Sequence, residues 1–409
     1  MKQLITIALM FLSMHVFAQT ETFDELLKSG KEEFKKDYES QDFSIAAANL
    51  ERAVSLRPTS AAAHYYLGYA YSRLNAKDGE MMLGMSLPLL LKTSEEFEKV
   101  NKLTPKYTGE LIVLDPYSKI SSEWGSMAMK YLYSNELDSA KWAFTEGKKR
   151  GGFGVAMLQL AKNSLDACSS DAILFTFGDS WTFPLWYVQN IEDYRKDVAV
   201  IDAGLINAAW YPSFLVKNKI VDFGRPIAEL DTLKYAKWTD KNVTIKNIKN
   251  NSTFTWTINS NGGSGYLYRG DRLLLSLLKK NEFKRDIYFT RLYDDDSRLS
   301  LSEHIIKGVS VDKLNTGKEE NLSYEKYKTE LSKNLNAAKL INLNNESEID
   351  LMSSIRYPVY MQAKKYIEAD NLASAKEILV LLNSNLPYDR FPISNEFKME
   401  LDRLLKLTN

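Results

Sequence analysis

Cysteine is almost absent: the chain of 409 residues has one, Cys168, and only three histidines. A single cysteine excludes an internal disulfide, and a chain of this length buries enough apolar surface to fold without one. As a small, weakly polar side chain, Cys168 is expected in the core. Net charge is also missing, because 53 Lys and Arg balance 53 Asp and Glu. The short basic runs Lys35-Lys36, Lys148-Lys149-Arg150 and Lys364-Lys365 stand among acidic residues and read as solvated helix faces. No one-sided positive field of the kind nucleic acid requires can form from them. Past the N-terminus, no segment reaches the roughly 18 consecutive apolar residues that a membrane-spanning helix needs.

What is present begins with a lysine, Lys2, an apolar stretch from Leu4 to Phe17, and Val16-Phe17-Ala18. That order predicts a secretory signal peptide over 1–18, cut near Ala18, and hence a periplasmic protein. No cysteine adjoins the cleavage point to carry a lipid.

Repeats come next. His64, Leu67, Gly68 and Tyr71, then Thr93, Phe97, Val100 and Pro105 after an insertion at 80–92, follow the ~34-residue tetratricopeptide pattern. Ala46, Leu50, Ala53 and Pro58 supply the second half of a preceding repeat. Trp124, Met127, Ala128, Tyr131, Ala140, Phe144 and Gly147 supply a following one. Small residues let paired helices approach and aromatics fill the gaps between repeats. The pattern returns as Ala363, Tyr366, Ala375, Leu379, Leu382 and Pro387.

Between these helical regions the period changes. Ile173–Phe177 and Val198–Ile201 are short apolar runs of the kind buried on both faces of a parallel sheet. The segment joining them has Phe183, Trp186, Tyr187 and Ile191 at helical spacing, with Thr182 as the expected N-cap and Pro184 in the first turn. A second helix–strand unit is expected at Asp271–Asn281 and Ile287–Thr290, and "NVTIKNIKNNSTFTWTIN" reads as a β-hairpin. The loop "NSNGGSG" and a polar helix with loops over 315–350 complete the reading. The expected fold class is α+β and multi-domain. A tetratricopeptide α-solenoid over 19–165 precedes a small parallel, Rossmann-like α/β domain with a hairpin insertion over 170–314. A helical region with a terminal repeat follows over 315–409.

"FGDS" at 177–180 has the form of a GDSL-type esterase nucleophile block. Ser180 would need a histidine base and separate oxyanion donors. The residue three before His304 is Leu301, His64 sits in a repeat helix, and no Asn-Asp dipeptide occurs. Ser180 therefore lacks the supporting blocks, and no catalytic residue is expected. Asp294-Asp295-Asp296 with His304 matches no metal-loop spacing, and "NGGSG" lacks the Lys-Ser or Lys-Thr of a phosphate loop. Neither a metal nor a cofactor is expected. The aromatics Trp181, Trp186, Trp210 and Tyr211 suit packing, with Trp181 placed where α/β sheets bind ligands.

The run "FTFGDSWTFPLWYVQNIEDYRKDVAVIDAGLINAAWY" and the later blocks "YLYRGDRLLLSLLKKNEFKRDIYFT", "LSEHIIKGVSVDKL" and "LPYDRF" resemble the soluble C-terminal portion of a Bacteroidota membrane family. That family is known as protein O-mannosyltransferase-like, with a domain of unknown function. The resemblance covers roughly 170–409. It implies an exported accessory domain, because the family's chemistry belongs to a multi-spanning N-terminal part and this chain has repeats there instead. The family's usual asparagine stands where this chain has Ser180, which makes that position variable.

The preferred expectation is a non-enzymatic scaffold or accessory subunit of the cell envelope that binds a protein or peptide through its repeats. A glycan-binding or glycosylation-related accessory protein is the alternative, and an esterase using Ser180 the remote one. The candidate contact residues are Asp179, Trp181, Asn207, Trp210 and Tyr211, on a framework of Leu67, Gly68, Tyr71, Trp124, Ala128, Tyr131, Ala140 and Phe144. Asp231-Thr232-Leu233, in an expected loop, and Asp138-Ser139-Ala140 fit the Asp-Ser/Thr-apolar pattern of bacterial O-glycosylation, with Thr232 the better acceptor.

Overall fold

A computed structural model of the protein describes residues 21–290, 298–317 and 322–408. The expected signal peptide and the Asp294–Asp296 turn lie outside these residues. The N-terminal part is helical throughout: α1 (Phe23–Glu32), α2 (Phe43–Leu56), α3 (Ala61–Asn75), α4 (Leu87–Leu103), α5 (Pro116–Tyr133), α6 (Leu137–Lys149) and α7 (Val155–Ala167). Side-chain caps set several of the starts. Thr22 and Glu25 form a reciprocal capping box on α1, Asp42 and Ser60 cap α2 and α3, and Asp115 caps α5 ahead of Pro116.

Consecutive helices from α1 to α6 pack on one another. The framework residues explain the close spacing. A Cβ on Gly68 would lie 2.9 Å from the Phe97 ring, and one on Gly147 would lie 2.6 Å from Trp124. Trp124, Ala128, Ala140 and Phe144 are fully buried between α5 and α6.

The sheet follows. β1 (Ile173–Thr176), α8 (Asp179–Ile191) and β2 (Ala199–Asp202) form the expected βαβ unit, with β1 and β2 parallel from Ile173↔Ala199 to Thr176↔Asp202. After α9 (Trp210–Lys217), α10 (Ile227–Thr232) and β3 (Ala236–Lys237), the hairpin β4 (Lys241–Asn247) and β5 (Ser252–Ile258) forms as expected. Its inner face buries Val243, Ile245, Phe254, Trp256 and Ile258. β6 (Tyr266–Leu267), paired with β3, and α11 (Arg269–Asn281) lead into β7 (Ile287–Thr290), which lies parallel to β1.

The all-parallel expectation needs correction. β8 (Ile305–Ile306) and β9 (Val311–Leu314) add an antiparallel pair, giving the mixed order β2-β1-β7-β9-β8. The charged residues of β9 concealed it: buried Asp312 is held by Arg298 at 3.3 Å and Lys307 at 3.1 Å.

The start of α8 also differs. Gly178, at φ +83°, precedes a helix that begins at Asp179, so Pro184 lies inside it. Thr182 does not cap, because its hydroxyl is spent on Thr176 at 2.7 Å and on Asp202.

The C-terminal part comprises α12 (Tyr324–Ala337), α13 (Glu346–Ser353), α14 (Arg356–Glu368), α15 (Leu372–Asn385) and α16 (Asn395–Leu407). One apolar core runs without a break from Phe43 in α2 to Leu314 in β9. A second joins the C-terminal helices to Met157 and Leu160 of α7 and to Trp181 of α8. The protein is thus a mixed α+β structure in which the sheet is built into a helical body. Among the described residues no helix is long and apolar enough to cross a membrane.

Candidate functional site

Parallel strands leave a crevice beyond their carboxyl ends, where the connections diverge and backbone amides of the following helices point outward. Here the crevice beyond β1 and β2 is walled on its far side by α3, α5 and the 76–85 segment, enclosing about 460 Å³. β1 delivers Phe177 to the rim, where it is 50% exposed. Gly178 makes the turn, and Asp179 opens α8, where the helix dipole favours a carboxylate. Ser122 of α5 donates its hydroxyl to Asp179 Oδ2, tying the two walls together.

β2 ends in Asp202, which is buried. Its Oδ1 accepts from the amides of Gly204 and Leu205, each at 2.8 Å, and its Oδ2 accepts from Thr182. Burial pushes the carboxyl up to about 6, against the pull of these donors and with a further push from Asp179.

The opposite wall carries Lys119 and Glu123, one turn apart on α5 and both nearly buried. Lys119 Nζ lies 2.6 Å from Glu123 Oε1, which also accepts from Ser72 at 2.6 Å. Glu123 Oε2 is buried with no hydrogen-bond partner among the described residues. The 76–85 segment closes one side, with Trp210 Nε1 donating to Gly79 O at 3.0 Å and the Ala209 amide to Glu80 at 2.7 Å.

Two of the residues singled out from sequence, Asp179 and Asn207, line this cleft. Asn207 also accepts from the Gly270 amide at 3.1 Å. The other three sit elsewhere. Trp181, 4% exposed, is enclosed by the C-terminal helical core, because α8 turns that face away from the crevice. Trp210 packs edge-on against Tyr133, and Tyr211 lies beneath β2 with its hydroxyl accepting from the Asp202 amide at 3.2 Å.

Thr232 closes the short helix α10 rather than lying in a loop, and its hydroxyl donates to Ala228 O at 3.1 Å. Asp231 beside it accepts from Ser213. Cys168 is buried, which pushes its thiol up. Lys119, Glu123, Ser122 and Asp202 escaped the sequence reading.

The histidines of the described residues are occupied away from Ser180. His64 contacts Glu96 at 2.5 Å and Pro58 O at 2.9 Å, one partner for each ring nitrogen. His304 lies edge-on to Phe254 of the hairpin. No cluster of three or more His, Cys, Asp or Glu that could hold a metal ion occurs among the described residues.

A second cleft, about 480 Å³, opens at the amino ends of the strands. There Arg285 donates to the carbonyls of Asp171, Ala172 and Ile220, and Asp197 is paired with Arg195. The carboxyl-end cleft, with an acceptor left over, is the candidate site.

A parallel βαβ unit with a polar cleft at its carboxyl ends, set into helices, is the class of structure present. Within it, the family model TMEM260-associated domain 2 matches residues 157–261. That span runs from α7 through β5 and includes Asp179, Asp202 and Asn207, while the Lys119–Glu123 wall lies outside it. The match agrees with the O-mannosyltransferase-like resemblance over this stretch. No curated protein matches the chain.

Proposed function

We propose that the protein is an exported, non-enzymatic accessory protein that binds a glycan in the cleft between its helical body and the carboxyl ends of β1 and β2. The observation that carries this reading is the pairing of an exposed aromatic rim, Phe177, with walls of planar polar side chains, Glu123, Asp179 and Asn207. A pyranose offers apolar C–H faces to a ring and hydroxyls to such groups, and sites for small polar ligands combine these two kinds of contact. The family match supports an association with glycosylation through the O-mannosyltransferase-like resemblance. The N-terminal 1–18 pattern supports export to the periplasm.

The helical body reads as tetratricopeptide repeats, supported by the Gly68–Phe97 and Gly147–Trp124 contacts. Binding of a protein or peptide in their groove is the second reading. α8 packs on α5 so closely that a Cβ on Gly125 would lie 2.5 Å from the Phe183 ring, so part of that face is filled by the chain itself. A protein partner would use other surfaces, such as that of α6, where Trp142 stays exposed.

Saturation-transfer NMR with a panel of mono- and oligosaccharides tests the proposal. Sugar signals are expected with the native protein, unchanged for Ser180→Ala and lost for Phe177→Ala. Absence of any transfer across the panel overturns the glycan reading. Capture of a specific envelope protein by crosslinking would then favour the second.

A further inference from the structure

We infer that the cleft selects a ligand bearing a protonated amine, an amino sugar, with the ammonium held between Glu123 and Asp179. This rests on the glycan reading and adds the chemistry of one substituent. Among the described residues five carboxyl groups line the cleft, Asp78, Glu80, Glu123, Asp179 and Asp202, against three cationic groups, Arg73, Lys77 and Lys119. Each cationic group already has a partner. Lys119 is paired with Glu123 and stands over the Tyr69 ring, Arg73 donates to Lys77 O at 2.7 Å, and Lys77 donates to Tyr38 O.

Most of the carboxyl groups are committed too. Asp78 accepts from Tyr38 and from the amides of Glu80 and Met81, Glu80 from the Ala209 amide, and Asp202 from Thr182, Gly204 and Leu205. Among the described residues the acceptors left over are Glu123 Oε2, buried and without a partner, one oxygen of Glu80, and one of Asp179, whose donor is Ser122, the neighbour of Glu123 on α5.

The cleft therefore has acceptors to spare and more negative than positive charge. A sugar hydroxyl supplies a donor but no charge. An ammonium supplies three donors and the charge, and a low-dielectric cleft with more carboxylates than cations concentrates such a ligand. Phe177 adds an exposed aromatic ring at the rim, a group to which cations are attracted.

Calorimetric titration of the full chain with glucosamine, glucose, N-acetylglucosamine and ethanolamine separates this inference from the reading beneath it. Glucosamine is expected to bind on the order of tenfold more tightly than glucose or N-acetylglucosamine, an advantage that shrinks with added salt. Glu123→Gln is expected to bring glucosamine down to the affinity of glucose. Should that variant lose its fold by circular dichroism, Asp179→Asn, at the rim, makes the same test. Equal affinity for the three sugars overturns the amine inference and leaves the glycan reading standing. Ethanolamine binding as tightly as glucosamine overturns the glycan reading instead, and no binding by any of the four overturns both.

Discussion

Lys119 and Glu123 form an ion pair that α3, α5 and the cleft enclose almost completely. Taking both charges out of water is costly, and their mutual attraction at 2.6 Å offsets that cost only while both are present. Lys119→Ala should leave the carboxylate buried and unpaired and lower the unfolding free energy by ~3 kcal/mol, read from urea denaturation at neutral pH. The double variant Lys119→Met with Glu123→Leu should recover most of that loss while abolishing ligand binding. A double variant no more stable than Lys119→Ala would show that the loss comes from packing rather than charge.

This pair is not legible in the sequence. "SKISSEWGS" places Lys119 and Glu123 at helical positions that elsewhere carry solvent-facing charge, and the α3 residues they meet, Tyr69 and Ser72, lie about fifty positions away along the chain. Asp179 was legible because it follows a strand at a turn. Trp181 shared that signal, and the rotation of α8 then carried it into the opposite core.

At the scale of elements, the cleft depends on how α8 sits against α5. Ser122 and Gly125 are small residues on one face of α5, and they admit α8 close enough for Ser122 to reach Asp179. Gly125 leaves room for the Phe183 ring and nothing more. Gly125→Val should cost about 1–3 kcal/mol through overpacking and should also weaken sugar binding, because Asp179 moves with the N-terminus of α8. Ser121→Ala, on the face of α5 that contacts the Phe153 amide, should leave sugar affinity unchanged and serves as the control. A Gly125→Val protein that binds sugar with native affinity would show that the two walls act independently.

The elements themselves were largely legible. The βαβ unit, the hairpin and the α11–β7 unit each follow a period of local sequence. β8 and β9 did not, since a two-residue strand has no period, and β9 buries an aspartate whose partners, Arg298 and Lys307, become neighbours only once the chain has folded. The helix caps were readable in type, yet Thr182 was drawn away from α8 by Asp202, a residue of the next strand.

For the whole molecule, the C-terminal helices dock on the N-terminal body through carboxyl groups. Asp115, the cap of α5, also accepts from the amide and hydroxyl of Ser347 in α13. Glu348, the next residue, is buried; the Asn342 amide donates to its Oε2 at 2.9 Å, while its Oε1 abuts Gly154. Burial, with Asp115 adding to it, pushes the Glu348 carboxyl up to about 7 from an ordinary 4.5.

Because the folded value lies above the unfolded one, the folded state holds the proton more tightly between them. Stability from this group is complete below its ordinary value and is lost as pH rises toward about 7. Asp202, raised to about 6 by burial, acts in the same direction over a lower window, and His64, also raised, loses its contribution as pH climbs past its ordinary value. Glu96 and Asp286 are lowered by their cationic partners and act in the opposite sense, losing stability only in more acidic solution.

Maximum stability should therefore fall on the acid side of neutrality. Chemical denaturation should show the native protein losing a few kcal/mol between about pH 5 and pH 8. Glu348→Gln should flatten that slope by up to ~3 kcal/mol, the worth of a shift of this size, and make the variant the more stable protein at about pH 8. A slope unchanged by Glu348→Gln would mean that this carboxyl titrates alike in the folded and unfolded chain, and that the docking of α13 is indifferent to its charge.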